Sequence, residues 1–513
     1  MKILKQKVFN LINSNKNIPG RIIFFCCTIT VGVTAVAQDV EQLRLADQYF
    51  ARGEYLTAAE LYAQYINPPK NAVHKSDFIL KPVKSGKTGT RFVSRDAVLW
   101  KQAESYRLAY HWNEALIVYK ELYKRDSVNN SGALYWMAVS QRALGLLPDA
   151  AVNLDKYVNG NYTALNEEVQ AEKQNLNFIK QATLRPDTVL FTIKPLQNTG
   201  MQGGLSGYIK RGNDLLYTST TTIEAETRTS NPNFNRLYIG NTSTGNDGLQ
   251  VLTFDLMPQS SHQGAASLST DGSTLYFTHW VIENGVRKSD IYKTTRNAEG
   301  WQFPQLVDGL QKEGFNNQQP FITADNKFLF FASDREGGYG GMDIWWAPIL
   351  NDGKIGEVRN AGANVNSSSN EETPFYQSGS STLVFASDKA GGMGGFDLYS
   401  TRGKMGNWVK ASNLGYPVNS TRDDKYFSAA ESNYLFDDAY ISSDRGSDCC
   451  LAIYQINKAK KQQVITGKVL DCATGQPLAN TKLGILKEDQ QLLVTDSKGA
   501  YTYMLTGAVS KRW

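Results

Sequence analysis

The sequence predicts a multidomain fold: an α-helical superhelix, then an all-β five-bladed propeller, then a partial β-sandwich. Three patterns carry that prediction. From Glu41 to Ala182 apolar and small residues recur at helical spacing. Beyond Thr188 come five units of short alternating strands, whose marker aromatics Tyr238, Tyr292, Trp345, Tyr399 and Tyr454 lie 54, 53, 54 and 55 residues apart. From Ile465 a third pattern begins. The expected divisions are a helical domain over 38–184, a propeller over 187–460 and a sandwich segment over 464–513. With 513 residues, 41% of them hydrophobic and 20% charged, the chain has material for several packed cores.

The first 37 residues hold Lys2, Lys5, Lys7, Lys16 and Arg21 but no Asp or Glu, and the apolar run from Ile22 to Val36 ends in Ala35-Val36-Ala37. This pattern predicts a secretory signal over 1–37, cut before Gln38, and a periplasmic, outer-membrane-associated protein. A membrane anchor is the rival reading, but the run falls short of the roughly 20 apolar residues a spanning helix needs. Phe25 before Cys26, and Cys26 before Cys27, fit a lipoprotein site poorly. Removing the signal takes five of the 54 basic residues and leaves 49 against 49 acidic ones. A formally neutral chain has no electrostatic footprint for nucleic acid or an anionic membrane.

Cys449, Cys450 and Cys472 remain, an odd count for an oxidising compartment. Adjacent cysteines rarely bridge, so Cys472 linked to either of the pair stands beside three unpaired thiols as an equal alternative. The spacing does not fit a zinc site.

Within the helical third, Ala46, Tyr49, Gly53, Tyr55, Ala58 and Tyr62 recur 57 positions later as Ala103, Tyr106, Tyr110, Trp112, Ala115 and Tyr119. A further shift of 35 reaches Ala138, Leu147, Ala150 and Leu154. The excess in the first step sits in Asn67 to Asp96, where Pro68-Pro69 and Pro82 rule out regular helix. Small residues let helices approach and aromatics fill the gap between pairs, so these side chains read as core. Ser85-Gly86-Lys87-Thr88 looks like the end of a phosphate-binding loop, but Pro82 stands where its first glycine belongs and no strand leads into it. Asn166 to Ala182 reads as a capping helix, with a boundary at Arg185-Pro186-Asp187. The second step is similar to the period of tetratricopeptide (TPR) repeats, which implies a concave face that takes segments of partner proteins.

Each propeller unit repeats an entry strand, a turn such as Ser269-Thr270-Asp271-Gly272 or Thr323-Ala324-Asp325-Asn326, and an aromatic strand. Ser333-Asp334-Arg335, Ser387-Asp388-Lys389 or Ser443-Asp444-Arg445 follows, and in two units a Gly-Gly-x-Gly-Gly loop (Gly337 to Gly341, Gly391 to Gly395). This order resembles the PD40 (WD40-like, TolB-type) propeller repeat. The first and fifth units depart from it, with Arg236 and Ala452 in place of the aspartate that precedes the marker aromatic. Recurrence of Asp334, Asp343, Asp388 and Asp397 argues for turn-fixing hydrogen bonds and ion pairs with Arg335 or Lys389 rather than metal ligation or acid chemistry. The glycine loops lack the spacing of a phosphate cradle.

In the tail, Ile465 to Leu470, Thr474-Gly475-Gln476-Pro477-Leu478 and Thr495 to Tyr503 resemble the start of a carboxypeptidase-regulatory-like β-sandwich, with too few residues following to complete it. The order of signal, TPR, PD40 blades and regulatory-like module is similar to PorE-type, OmpA-family-associated proteins of type IX secretion. That resemblance implies a protein-binding scaffold, partnered by envelope proteins through the TPR concave face and the propeller faces. The OmpA-like domain of that family is absent from this sequence, so peptidoglycan binding is not implied. His74, His111, His262 and His279 form no H-E-x-x-H, and Gly204-Leu205-Ser206-Gly207-Tyr208 fails as a nucleophile elbow at its last position. The expectation is a non-enzymatic scaffold with no catalytic, cofactor or metal residues and no cofactor. The alternative is a propeller-based carbohydrate-binding or hydrolase-associated protein, in which Trp280, Trp301, Trp345, Trp346 and Trp408 stack on sugars.

Overall fold

The computed structural model describes residues 42–68, 94–196, 204–222, 233–241, 249–254, 257, 261–283, 286–446, 450–459, 462–484 and 492–506. The predicted signal, His74 and the Ser85-Gly86-Lys87-Thr88 loop lie outside them.

Seven helices open the described chain: α1 (42–51), α2 (Tyr55–Ile66), α3 (Arg95–Leu108), α4 (Trp112–Arg125), α5 (Ala133–Ala143), α6 (Leu147–Asn159) and α7 (Asn166–Thr183). From α2 on, each packs against the next. Ala58, Ala103, Ala115, Ala138 and Ala150 are fully buried where the helices meet, and Tyr62, Tyr119 and Tyr157 fill the gaps. Helix α3 starts where Ser94 Oγ accepts the Ala97 amide at 3.2 Å, satisfying one of the donors a helix start leaves over.

The β region is a five-bladed propeller. Blade one holds β2 (Leu205–Arg211), β3 (Asp214–Thr222), β4 (Asn233–Asn241) and β5 (Gln250–Val251). Blade two holds β6 (His262–Leu268), β7 (Thr274–Glu283), β8 (Val286–Asn297) and β10 (Gln305–Leu306), with β9 (Gly300–Trp301) also on β8. Blade three holds β11 (Asn317–Ile322), β12 (Phe328–Ser333), β13 (Asp343–Pro348) and β14 (Arg359–Asn360). Blade four holds β15 (Glu371–Gln377), β16 (Thr382–Ser387), β17 (Asp397–Lys404), β18 (Asn407–Trp408) and β19 (Ser412–Asn413). Blade five holds β20 (Asp424–Ser428), β21 (Ala439–Ser443) and β22 (Ala452–Lys458), and β1 (Phe191–Pro195) completes it, Phe191 opposite Lys458 and Pro195 opposite Tyr454. A strand from before blade one thus fastens the last blade. The first strands β2, β6, β11, β15 and β20 contact one another in a closed ring, and all five marker aromatics fall on the third strand of their blade.

Every first strand carries the same irregularity. Its pairing with the second strand slips within Ser206–Ile209, Gly264–Ser267, Gln318–Phe321, Glu372–Phe375 and Lys425–Ser428. The residue at the slip has a positive φ in each blade: Gly207 64°, Ala265 46°, Gln319 56°, Thr373 52° and Tyr426 52°. Four of these are not glycine, an uncommon state that needs outside support. The support comes from the preceding blade, whose side chain accepts the freed amide. Ala265 N donates to Thr218 Oγ1 (3.0 Å), Gln319 N to Thr278 Oγ1 (2.7 Å), Thr373 N to Gln319 Oε1 (3.0 Å), Tyr426 N to Thr373 Oγ1 (3.3 Å) and Gly207 N to Ser442 Oγ (3.1 Å). Five bulges and five hydrogen bonds form a belt around the axis.

In the tail, β23 (Gln462–Lys468) pairs along its whole length with β26 (Ala500–Thr506), and β24 (Lys482–Gly484) with β25 (Leu492–Val494). Val464, Ile465, Leu470 and Val494 are exposed there. Neither of the two alternatives, a link from Cys472 or three unpaired thiols, holds. The Cys472 thiol is free and exposed, whereas Cys450 is disulfide-bonded to a partner outside the described residues.

Candidate functional site in the propeller channel

The bulge belt divides the axial channel in two. On the side where the first strands end lies a pocket of about 330 Å³, with the belt residues Gly207, Ala265, Gln319, Thr373 and Tyr426 as its floor. Its walls come from all five blades: Tyr208 and Arg211, Ala266 and Ser267, Phe321, Phe375, then Phe427, Ala430, Glu431 and Asp438. Phe321 meets Phe375 with its ring tilted, and Phe375 meets Phe427 edge to face, at 5.0 and 5.4 Å between ring centroids, and Tyr208 lies 4.4 Å from Tyr440. At the rim Lys210 Nζ meets Asp438 Oδ2 at 2.9 Å, and Tyr440 donates to Asp438 Oδ1 at 2.7 Å. Burial pushes the Asp438 carboxyl up, but these donors outweigh it and hold the group below the usual carboxylate range. Glu431 Oε2 accepts the Ser378 amide at 3.0 Å.

On the other side of the belt, where the first strands begin, Glu372 Oε2 takes a charge-assisted bond from Lys425 Nζ at 2.6 Å and another from Gln319 Nε2 at 3.0 Å. Burial alone would raise the Glu372 pKa, yet the Lys425 charge and these bonds bring it below its ordinary value, so the carboxylate is ionised and paired.

The helical segment covers that same side. Arg142 Nη1 donates to the carbonyls of Thr421 (2.7 Å) and Met393 (3.3 Å), and its Nε holds Glu172 at 2.5 Å in a pair that is 5% and 3% exposed. Arg422 Nε donates to Ala143 O at 3.0 Å, and Asn175 Oδ1 accepts the Gly391 and Gly392 amides at 2.8 and 3.2 Å. Tyr110 donates to Asp423 Oδ2 at 3.1 Å and Trp112 Nε1 to Asp444 Oδ2 at 3.2 Å. The channel is therefore capped at this end and open at the pocket end.

Comparison among blades explains the last two contacts. In blade three, Asp334 accepts both the backbone and the side-chain amide of Asn316, at 2.6 and 2.8 Å. In blade four, Asp388 does the same with Asn370, at 2.8 and 2.7 Å. In blade five, Asp444 still accepts the backbone amide at 2.8 Å, but that amide belongs to Asp423, which has no side-chain N–H to give. Burial first, then the mutual repulsion, holds the Asp444 carboxyl above its usual range, and burial does the same for Asp423. Tyr110 and Trp112 supply the missing donors.

The aspartates singled out from the sequence are placed in the blades rather than gathered into a centre. Asp334 and Asp388 bind the asparagines just described and not, as expected, the neighbouring Arg335 or Lys389. Arg335 instead reaches Ser333 Oγ (3.1 Å), Leu310 O (2.7 Å) and Asn317 Oδ1 (2.5 Å), and Lys389 sits 3.8 Å over the Tyr399 ring. Asp343 accepts the Tyr339 and Gly340 amides at 2.6 and 3.3 Å, and Asp397 the Met393 and Gly394 amides at 2.5 and 2.9 Å. Gly338 and Gly392 are glycines because a Cβ there would collide with those carboxylates. Burial pushes Asp397 up to about 7 against the pull of its donors. Of the tryptophans, Trp345, Trp346 and Trp408 are blade core. Trp280 stacks on His262 at 5.0 Å beneath Arg287, and Trp301 lies under Arg296, so none lines the pocket. Two residues of the failed nucleophile elbow, Gly207 and Tyr208, do line it. Arg211 was missed, since one arginine in a hairpin carries no motif.

No family model matches the chain, and no curated protein does. Among solved structures, similarity extends to a thermostable family-43 glycoside hydrolase, at 11% identity over 62% of this chain and 98% of that one, TM-score 0.35. The catalytic domain of a GH62 α-L-arabinofuranosidase from Coprinopsis cinerea matches at 12% identity over 52% and 93%, TM-score 0.34. Prolyl oligopeptidase B from Galerina marginata matches at 11% over 52% and 36%, TM-score 0.28. The expectation of a non-enzyme is corrected here, because the similar structures are repeatedly glycoside hydrolases. The missing motifs exclude serine hydrolases and zinc peptidases only, whereas glycoside hydrolysis asks for two carboxyl groups at a suitable distance, which leave no local signature. At such scores the likeness concerns the fold and assigns this chain no reaction. What stands is a five-bladed β-propeller whose channel holds an open pocket and is capped from behind by a helical segment.

Proposed function

We propose that this chain is a carbohydrate-binding propeller whose ligand enters the channel pocket. The observation that supports this reading is the pocket itself: about 330 Å³, closed behind by the belt, with aromatic and aliphatic walls interrupted by Arg211, Glu431 and Ser267. That volume and mixture suit a small ligand with one apolar and one hydroxylated face. Export to the periplasm, TPR pairing of the helices, a regulatory-like tail and docking with outer-membrane secretion partners belong to the same proposal. The helical spacing of 35 residues and the order of the modules support them.

The experiment is titration of the purified chain with neutral and acidic mono- and disaccharides, followed by calorimetry, with an aryl-glycoside assay in parallel. Saturable binding at a stoichiometry of about one is expected. Absence of binding across the series would reject the carbohydrate reading, and turnover would extend it to catalysis.

A further inference from the structure

We propose that the channel pocket receives an anionic ligand, a carboxylate-bearing sugar or similar small organic acid, with its carboxylate against Arg211. The inference rests on reading the pocket as a ligand site and adds the charge of its occupant.

Arg211 is the last residue of β2, and the two-residue turn Gly212-Asn213 leads directly into β3, with Arg211 paired to Asp214. Gly212 takes the positive φ of 57° that such a tight turn requires. The arginine is thus carried on a rigid hairpin end at the pocket wall, and not on a loop.

Aligned on the bulges, the same position is Ser269 in blade two, Thr323 in blade three and Gln377 in blade four. Each of those side chains is engaged. Ser269 Oγ bonds Asp271 at 2.5 Å, Thr323 Oγ1 bonds Asp325 at 2.7 Å, and Gln377 Nε2 bonds Ala430 O at 2.6 Å. Arg211 breaks that pattern. Among the described residues its guanidinium has no hydrogen bond and no ion pair within contact, although burial is strong enough to depress its pKa. Glu431 acts on it only at a distance, its own Oε2 being taken by Ser378. The neighbouring Lys210 is already neutralised by Asp438.

A half-buried guanidinium with five unused donors is an acceptor-seeking group, and its planar fork matches a carboxylate in two parallel bonds. Phosphate would fit the same fork. However, Glu431 and Asp438 line the same pocket, so a monoanion meets less repulsion than a dianion.

The test is calorimetric titration at low salt with D-glucuronate, D-glucose and glucose 6-phosphate against the parent, Arg211→Gln and Arg211→Lys. Since Arg211 holds nothing in place, both variants should melt with the parent. The parent should bind glucuronate at least tenfold more tightly than glucose and more tightly than the phosphate ester. Arg211→Gln should abolish that preference, and Arg211→Lys should keep part of it. Equal binding of glucose and glucuronate would overturn this inference while leaving the carbohydrate reading intact, and tighter binding of the phosphate ester would overturn the choice of a carboxylate. Failure of all three to bind the parent would remove both.

Discussion

Arg142→Ala is expected to destabilise the chain by about 3–5 kcal/mol, because it strands the buried Glu172 carboxylate and two propeller carbonyls at once. Glu172 would keep only the Asn175 amide, 3.0 Å away, as a donor. Thr421 O and Met393 O lose their partner on the helical side. The double variant Arg142→Met/Glu172→Leu removes the orphaned charge and should recover part of the loss. It should not recover all of it, since the two carbonyls stay unpaired. Thermal melting of the three proteins checks this, and hydrogen exchange should show protection falling at α5, α7 and the Gly391–Gly395 loop together. A single variant that melts with the parent would mean that the helical segment is not held to the propeller as described.

Asp423→Asn is expected to stabilise the chain at neutral and alkaline pH by on the order of 1–2 kcal/mol, by restoring in blade five the asparagine–aspartate pair of blades three and four. The direction in pH follows from the raised carboxyls. In the unfolded chain both titrate near 4, whereas in the folded chain they hold protons more tightly, Asp444 up to about 7. The contribution of the pair is fully present below about pH 4 and is lost as pH rises through the folded value. Arg422, 3.9 Å from Asp444, and Lys425 temper the repulsion without providing the missing amide. The parent should therefore lose stability relative to the variant between about pH 4 and 8, while Asp397 titrates in both and cancels from the difference. Denaturant melts at pH 5 and pH 8 decide it, and parallel pH profiles would contradict the acid-pair account.

The ring of blades was legible because each blade must place an aromatic on its third strand, and Tyr238, Tyr292, Trp345, Tyr399 and Tyr454 keep that place at nearly constant spacing. The turns were legible for a similar reason, as Asp271 and Asp325 cap their own loops through local hydrogen bonds. The belt was not. Its φ values are imposed by the preceding blade, so Gly207, Ala265, Gln319, Thr373 and Tyr426 share a conformation without sharing chemistry. Docking of the helical segment was hidden too, because Tyr110 and Trp112 occupy repeat positions that Gly53 and Tyr55 fill one unit earlier. Their contacts with Asp423 and Asp444 span more than 300 residues of chain, beyond any local pattern. Closure of blade five by β1 belongs to the same class, since that strand lies outside the five repeated units.

Ligand occupancy of the channel is the central claim, and a pocket-filling variant tests it most directly. Ala430 lines the pocket from blade five, and its backbone amide bond to Asp437 O does not depend on its side chain. Ala430→Trp should fill the cavity, so the saccharide that binds the parent should lose at least tenfold in affinity by calorimetry while the circular-dichroism melt of the propeller is retained. Unchanged affinity in a folded Ala430→Trp protein would place the ligand elsewhere and contradict the account.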